Sequence, residues 1–214
     1  MSSFNINIPG DTSSAAFIIV AATIIKKSEV LIKKVLINPR RTGIISALIK
    51  MGANIIIFNK YFENNELVGD IIVKSAKLKG VIFSGDEIVY MIDELPILAV
   101  AATQANGTTI IKDAQELIFK ESNRIESITI ELKKMNADII STFDGFIING
   151  AVELIGTNVK TQGDHRIAMS LVIAGLFANG ETKIVDSEVI DDSFPNFVKC
   201  INSIGANVKE INYD

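Results

Sequence analysis

The chain has 214 residues, 48% of them hydrophobic, and a formal net charge of −4, which argues against nucleic acid as a general partner. Its longest apolar runs fall well short of the roughly 20 residues that cross a bilayer, and no basic stretch precedes the first run, so we expect neither a membrane segment nor a signal peptide. One cysteine and one histidine exclude an internal disulfide and argue against a metal site, and the expectation is a cytoplasmic protein.

Apolar periodicity, capping residues and turn residues predict helices that alternate with strands along the chain. In chain order, the predicted helices cover 13–26, 43–51, a segment from Asp93, 121–135, a segment from His165, and 195–204. The predicted strands cover 4–8, 30–37, 54–58, 71–73, 81–84, 108–111, 138–141, 145–148, 152–155, 182–185 and 207–211, and 59–67 is predicted as a loop. Such interleaving is typical of an α/β or α+β fold.

One helix-start pattern occurs three times. In each copy an acidic residue precedes an Ala-rich apolar run, a β-type stretch and a second helical pattern; these residues are Asp11, Asp93 and Asp164. From the acidic residue to the end of the second helix the copies take 40, 42 and 40 residues, and such constant spacing indicates a repeated unit. Because the first helix of each copy is nearly apolar all round, it must be buried. We predict one domain of three βαβαββ-like repeats, roughly 8–70, 71–149 and 150–214, with helices packed inside and sheets outside.

The starts of equivalent helices can converge on one surface. Unpaired N–H groups and the helix dipole would make that surface attractive to anions. The simpler interpretation is that the acidic residues are N-caps, and we favour it for Asp11 and Asp164 more than for Asp93. The chain has four arginines, all near predicted helix starts; we expect Arg40 and Arg41 to be solvated and the other two to bind an anion.

The segment KESNR carries the first candidate chemistry. Lys120 and Arg124 are four residues apart and would share one face of the predicted helix, with Glu121 in its first turn. Two cations could there hold an anionic ligand beside a carboxylate that moves a proton, and Asp93 could supply a second carboxylate. The segment GDHR adds an imidazole and a guanidinium at another helix start.

These segments resemble motifs of the EPSP synthase (3-phosphoshikimate 1-carboxyvinyltransferase) family. KESNR resembles its KETDR-type motif and GDHRIAM its DHRMAM-type motif, and GDTSSAA, DELPILAVAAT and SFPNF look like further family segments in the same order. The resemblance covers the C-terminal half of the enzyme, and nothing in the chain matches the N-terminal domain. It implies two domains of three βαβαββ units around a cleft, and transfer of the enolpyruvyl group of phosphoenolpyruvate to shikimate 3-phosphate without a cofactor, in the route to aromatic amino acids.

The resemblance also implies roles for single residues. Asp93 matches a carboxylate that contacts the shikimate ring and takes part in proton transfer, and Glu121 matches the second proton-transfer carboxylate. Lys120 matches a ligand on the side of the shikimate phosphate. Arg124 and Arg166 match the arginines that bind phosphoenolpyruvate, where the inhibitor glyphosate also binds.

Further matches and departures complete the comparison with the family motifs. His165 matches a histidine beside the phosphoenolpyruvate pocket. The chain has Asp192 where many members have a lysine, and Glu116 where some have a substrate-binding asparagine. If the two arginines bind a ligand, we expect each guanidinium to face a solvent-filled hollow in the isolated domain, without being fully engaged by internal carboxylates.

Three interpretations of function follow from these observations. The first is the C-terminal half of an EPSP synthase, inactive alone, whose partner is the N-terminal half of the same enzyme. The second is a domain of the UDP-N-acetylglucosamine enolpyruvyl transferase type, which shares the fold. The third is a non-catalytic module that binds an anion or a protein partner.

Overall fold

The computed structural model describes residues 6–211, and the strand predicted over 4–8 therefore lies partly outside the described residues. The helices are α1 Thr12–Ile24, α2 Gly43–Lys50, α3 Asp86–Val89, α4 Leu95–Thr103, α5 Arg124–Lys134, α6 His165–Gly175 and α7 Phe197–Ser203. The strands are β1 Glu29–Leu36, β2 Asn54–Glu63, β3 Glu66–Lys74, β4 Ile82–Phe83, β5 Gly107–Ile111, β6 Asp138–Thr142, β7 Gly145–Gly150, β8 Asn158–Lys160 and β9 Lys183–Val185. Short 3₁₀ turns lie at Ile92–Glu94, Gln115–Phe119 and Ser187–Ile190.

The helices α1, α4 and α6 form the interior of the domain. All nine residues of α4 are buried, as are most residues of α1 and α6, and the three helices contact one another. A helix that is apolar on every side can satisfy its whole surface only inside a core. The predicted arrangement, with helices inside and sheets outside, is confirmed. No helix within residues 6–211 is long and apolar enough to cross a membrane.

The sheets repeat one topology. In each copy a parallel pairing connects the segment before the buried helix with the strand after it: Gly10 with Val35, β4 with β5, and β8 with β9. A second helix and an antiparallel hairpin follow in the first two copies, giving sheets in the order β1-β3-β2 and β4-β5-β7-β6. This is the βαβαββ pattern that the repeat predicts, whereas the exact unit bounds stay a prediction.

The loop predicted at 59–67 is wrong, because β2 and β3 form one long hairpin. A register shift between Phe58 and Tyr61 interrupts the alternation of buried and exposed residues, which hides the continuation of β2 from sequence. The turn is only Asn64-Asn65, and both residues have positive φ, a conformation that asparagine tolerates and that tight hairpins require.

The third copy differs from the prediction. The strand predicted over 152–155 is a single bridge between Ile155 and Asn179, and 207–211 is not a strand. Residues 207–211 find no ladder partner among residues 6–211; instead they line a groove with parts of α1, α6 and α7. The short strand β8 was not predicted, because three residues carry too little periodicity.

The start of β7 approaches the last residue of β5 closely. A Cβ at Gly145 would collide with the carbonyl oxygen of Ile111, whereas at Gly10 it would lie 3.5 Å from the Lys34 oxygen, an ordinary contact. Since backbone cannot move aside as a side chain can, we expect Gly145→Ala to lower the free energy of unfolding by about 1–3 kcal/mol or more. Urea unfolding of both variants measures this. Equal stabilities of Gly145→Ala and the control Gly10→Ala would contradict the close approach.

Candidate functional site

The guanidinium of Arg124 holds three carboxylates at one point. Its Nε lies 2.8 Å from Asp164 Oδ2, its Nη1 lies 2.9 Å from Asp93 Oδ1, and its Nη2 lies 2.6 Å from Glu121 Oε2. The Arg124 side chain is only 2% exposed and that of Asp164 is fully buried, whereas Asp93 and Glu121 remain partly exposed. The expectation that this guanidinium faces a solvent-filled hollow without being fully engaged by internal carboxylates is wrong. Each of its nitrogens already donates to one of them.

Helix α5 begins at Arg124 and not at Glu121 as predicted. Asn123 caps the helix, because its Oδ1 accepts a hydrogen bond from the Glu126 N–H. Lys120 and Arg124 therefore do not share a helix face, and Glu121 is not in the first turn. The two cations meet at a common carboxylate instead, since Lys120 Nζ lies 3.4 Å from the same Asp93 oxygen.

The three acidic helix starts divide as the sequence favoured. Asp11 caps α1 by accepting from the Ser14 N–H, and Asp164 caps α6 by accepting from the Arg166 N–H at 2.8 Å. Asp93 lies in a 3₁₀ turn and makes no capping bond, so its carboxylate is available to the cations. Asp164 does two things at once, because one oxygen caps α6 while the other accepts from Arg124.

A buried carboxylate that the sequence analysis missed positions the segment before α6. Glu131 lies two helical turns after Arg124, on the same face of α5, and is fully buried. It accepts from the Lys160 N–H and from the Gln162 side chain, both at 3.0 Å. Helix α5 therefore holds the third copy through both ends of one face. The only signal in the sequence is the spacing of seven residues between Arg124 and Glu131, which puts both on one helix face. It does not indicate that Glu131 binds Lys160 and Gln162.

Arg166 is held by Glu94, a second residue that the sequence analysis missed. Its Nη1 lies 3.1 Å from Glu94 Oε1 and 3.4 Å from the Asp93 carbonyl oxygen. The side chains of Arg166 and Glu94 are 14% and 6% exposed, so Arg166 faces less solvent than the expected solvent-filled hollow would give it. Within residues 6–211, however, Arg166 makes side-chain hydrogen bonds through Nη1 only, and its Nε and Nη2 remain for a ligand. The position of Glu94, directly after Asp93, was the available signal.

His165 completes the cluster. Its Nδ1 lies 4.0 Å from Glu121 Oε1, and Asp164 and Arg166 are its sequence neighbours. Burial lowers the pKa of His165 below the ordinary value of 6.5, because the imidazolium loses its hydration; Asp164 opposes this shift. The imidazole is therefore neutral at pH 7.

The charges of the cluster set the pKa values of Asp93 and Lys120. Burial alone would raise the pKa of Asp93, but the positive charges of Arg166, Lys120 and Arg124 outweigh it and lower the pKa. The hydrogen bond to Glu116 raises the pKa of Lys120 against the effect of burial. Both groups are ionised at neutral pH, and Asp93 is a hydrogen-bond acceptor without a proton of its own.

The remaining candidates lie at or beyond the edge of this cluster. Arg41 is half-exposed, lies 3.6 Å from Asp11 and donates to Ser13; Arg40 is exposed, as the sequence predicts. Both arginines line a shallow hollow with Asp93. Asp192 is exposed and forms no ion pair within residues 6–211. The structure thus brings Asp93, Lys120, Glu121, Arg124, His165 and Arg166 together and leaves Asp192 outside.

The sequence matches one family over most of its length. The pattern of EPSP synthase (3-phosphoshikimate 1-carboxyvinyltransferase) matches residues 1–201. The 3-phosphoshikimate 1-carboxyvinyltransferase of Thermoanaerobacter sp. (strain X514) is 53% identical over 197 residues, which are 92% of this chain and 47% of the relative. That of Petrotoga mobilis (strain DSM 10674 / SJ95) is 54% identical over 198 residues, 92% of this chain and 46% of the relative. The chain spans about half the length of the curated relatives it matches.

Solved structures show the same relationship. EPSP synthase from Acinetobacter baumannii superposes with a TM-score of 0.91 at 40% identity, over 94% of this chain and 47% of that chain. The enolpyruvyl transferase NikO from Streptomyces tendae superposes with a TM-score of 0.68 at 17% identity, over 91% of this chain and 43% of that chain. The second likeness concerns the fold alone.

The buried ion cluster leads to a prediction about stability. Arg124→Met would leave the fully buried Asp164 without its cation, and we expect a loss of about 3–5 kcal/mol in the free energy of unfolding. Lys74→Met breaks an exposed pair with Glu29 and should change that free energy by less than about 1 kcal/mol. Urea unfolding of both variants tests this. An Arg124→Met protein as stable as Lys74→Met would show that the cluster does not stabilise the fold.

A second prediction follows from the lowered pKa of His165. Between this folded-state pKa and 6.5 the unfolded chain binds more protons at His165 than the folded protein does. The free energy of unfolding therefore falls as the pH drops through this window. His165→Gln removes that contribution, so we expect the wild-type protein to lose stability relative to His165→Gln between about pH 7.5 and about pH 5.5. Urea titrations at both pH values measure it, and a constant difference would contradict a partly buried imidazole with a lowered pKa.

Proposed function

The chain belongs to the EPSP synthase family, and from this membership we propose that it forms the C-terminal half of an enzyme that transfers the enolpyruvyl group of phosphoenolpyruvate to shikimate 3-phosphate. The observation that carries the proposal is the ion cluster around Arg124. It holds Asp93 and Glu121 on a buried guanidinium with their carboxylates partly exposed. Two carboxylates at a surface lined with cations suit proton transfer on anionic substrates.

The chemistry requires two proton movements in each half of the reaction. In the addition, the attacking hydroxyl loses a proton as its oxygen bonds to C2 of phosphoenolpyruvate, and C3 gains a proton. In the elimination, C3 loses a proton and the bond between C2 and the phosphate oxygen breaks, releasing phosphate, which takes up a proton. Asp93 is ionised and can therefore accept a proton, and Glu121, whose Oε1 lies 4.0 Å from His165 Nδ1, is the second candidate.

The cations would bind the negative groups of the substrates. Arg166 has Nε and Nη2 available for a carboxylate or phosphate in a two-pronged contact. Lys120, whose raised pKa keeps it charged, would take the shikimate phosphate, and Arg124 and His165 would line the phosphoenolpyruvate side. Glyphosate, an anion, would bind at Arg166, whereas Arg124, whose nitrogens all donate to carboxylates, would support this side of the site from below.

The charge balance of the cluster argues for a partner domain. Its cations are Lys120, Arg124 and Arg166, and its carboxylates are Asp93, Glu94, Glu116, Glu121 and Asp164. Five negative groups against three positive ones cannot by themselves attract two highly anionic substrates. The missing cations would come from the N-terminal half of the same enzyme, across a cleft. Family membership favours this function over the UDP-N-acetylglucosamine alternative, and the experiment below tests the non-catalytic one.

Reconstitution tests the proposal. We expect this 214-residue chain alone to release no phosphate from the two substrates, because groups that act as one catalytic unit do not contribute independently. Mixed with the N-terminal half of the Thermoanaerobacter relative, it should turn over. Asp93→Asn and Glu121→Gln should each lower kcat by about 10²–10⁴, the range of general acid–base groups.

Glu29→Gln, on the outer face of the first sheet, serves as the control and should leave the rate unchanged. Circular dichroism and thermal melting of each variant separate lost chemistry from lost folding. Turnover by the chain alone, or normal rates in both carboxylate variants, would contradict the proposal.

A further inference from the structure

Lys120 is occupied by a carboxylate that has no part in the proposed proton transfers. Its Nζ lies 2.6 Å from Glu116 Oε1, closer than to Asp93 at 3.4 Å. Glu116 lies in the 3₁₀ turn Gln115–Phe119, one helical turn before Lys120, and its side chain is 64% exposed. The lysine is thus ion-paired in the ligand-free domain by a residue that can leave it without unpacking the core.

A phosphate group that binds Lys120 must compete with this contact. An ammonium has three N–H donors; that of Lys120 donates to Glu116 and is ion-paired with Asp93 as well. A phosphate oxygen at hydrogen-bond distance from Nζ would lie within a few ångströms of Glu116, and like charges at that separation repel even in water. Asp93 cannot move away from Lys120 to make room for the phosphate, because the buried Arg124 guanidinium holds its carboxylate. Glu116 can move away, since within residues 6–211 its carboxylate accepts a hydrogen bond from Lys120 alone.

We propose that Glu116 is an affinity-limiting residue of this site, which pairs with Lys120 in the ligand-free domain and is displaced when the phosphate group of the ligand binds. The proposal rests on the function proposed above for the location of the ligand phosphate, but its mechanism needs only an anion at Lys120. Glu116 would thereby disfavour occupation of the site by stray anions, since each must first break an existing pair.

Titration of the whole chain with inorganic phosphate tests the proposal, with nuclear magnetic resonance shifts of Lys120 and His165 as the signal. Glu116→Gln should bind phosphate about two- to fivefold more tightly than the wild type, the range expected from losing one exposed ion pair. The control is Glu87→Gln. Glu87 pairs with Lys50 at 3.1 Å in a partly exposed setting, so its loss changes net charge in the same way without touching the cluster. It should leave the affinity unchanged.

Combining Glu116→Gln with a substitution of Lys120 shows whether Glu116 acts on phosphate affinity through this lysine. When Glu116→Gln is introduced into Lys120→Met, its effect on phosphate affinity should shrink to nothing, because a double-mutant cycle isolates the competition for that lysine. Equal affinities of the wild type and Glu116→Gln, tightening of the same size in Glu87→Gln, or an undiminished effect in Lys120→Met would each overturn the proposal. So would the absence of phosphate binding by both the wild type and Glu116→Gln.

Failure here differs from failure of the proposed function. Phosphate titration needs no turnover, whereas reconstitution needs no change at Glu116. If Glu116→Gln tightens phosphate binding but the reconstituted enzyme is silent, the competition stands and the enzymatic function falls. If turnover is restored but phosphate affinity does not change, the enzyme stands and the role of Glu116 falls.

Discussion

The buried guanidinium of Arg124 is the interaction on which both the fold and the candidate site depend. It joins Asp164 of the third copy to Asp93 and Glu121 of the second, and Asp164 is fully buried. A buried carboxylate without a cation costs several kcal/mol, so the third copy can dock in this position only when α5 presents Arg124 to it. The side chains of Asp93 and Glu121 remain partly exposed despite these bonds. Stability and chemistry are therefore coupled at one side chain.

The three central helices explain why the charged groups meet. Helices α1, α4 and α6 are largely buried and contact one another. Each of them is the first long helix of its copy of the repeat. Equivalent starts consequently lie at one end of the core, where caps and dipoles act on the same surface. Asp164 fixes the positions of His165 and Arg166, because one of its oxygens caps the first turn of α6 while the other accepts a hydrogen bond from Arg124.

The surplus of carboxylates gives the site its character. Each cation of the cluster already has a carboxylate partner, so an anionic ligand competes with carboxylates at Lys120 and Arg124, whereas within residues 6–211 Arg166 keeps Nε and Nη2 for it. A site of this kind is suited to a cleft that closes between two domains. In the proposed function, this domain would supply acid–base groups on a rigid support, and the other domain would supply the remaining positive charge. The pairing of Glu116 with Lys120 is the most exposed and most easily exchanged of these contacts.

The sequence by itself determined the repeat, the three buried helices and the clustering of arginines at helix starts. These features rest on local spacing and on apolar residues that no exposed helix would carry. The errors of the sequence-based prediction are local as well. Helix α5 begins three residues later than predicted because Asn123 caps it, and the register shift after Phe58 concealed the length of β2. The tertiary structure alone decided that Asp164 meets Arg124 forty positions away, that Glu94 holds Arg166, and that Glu131 anchors the segment before α6. These contacts join residues that are far apart in the sequence, and they form only when the helices pack together. The spacing of residues within one segment does not indicate which distant segment packs against it.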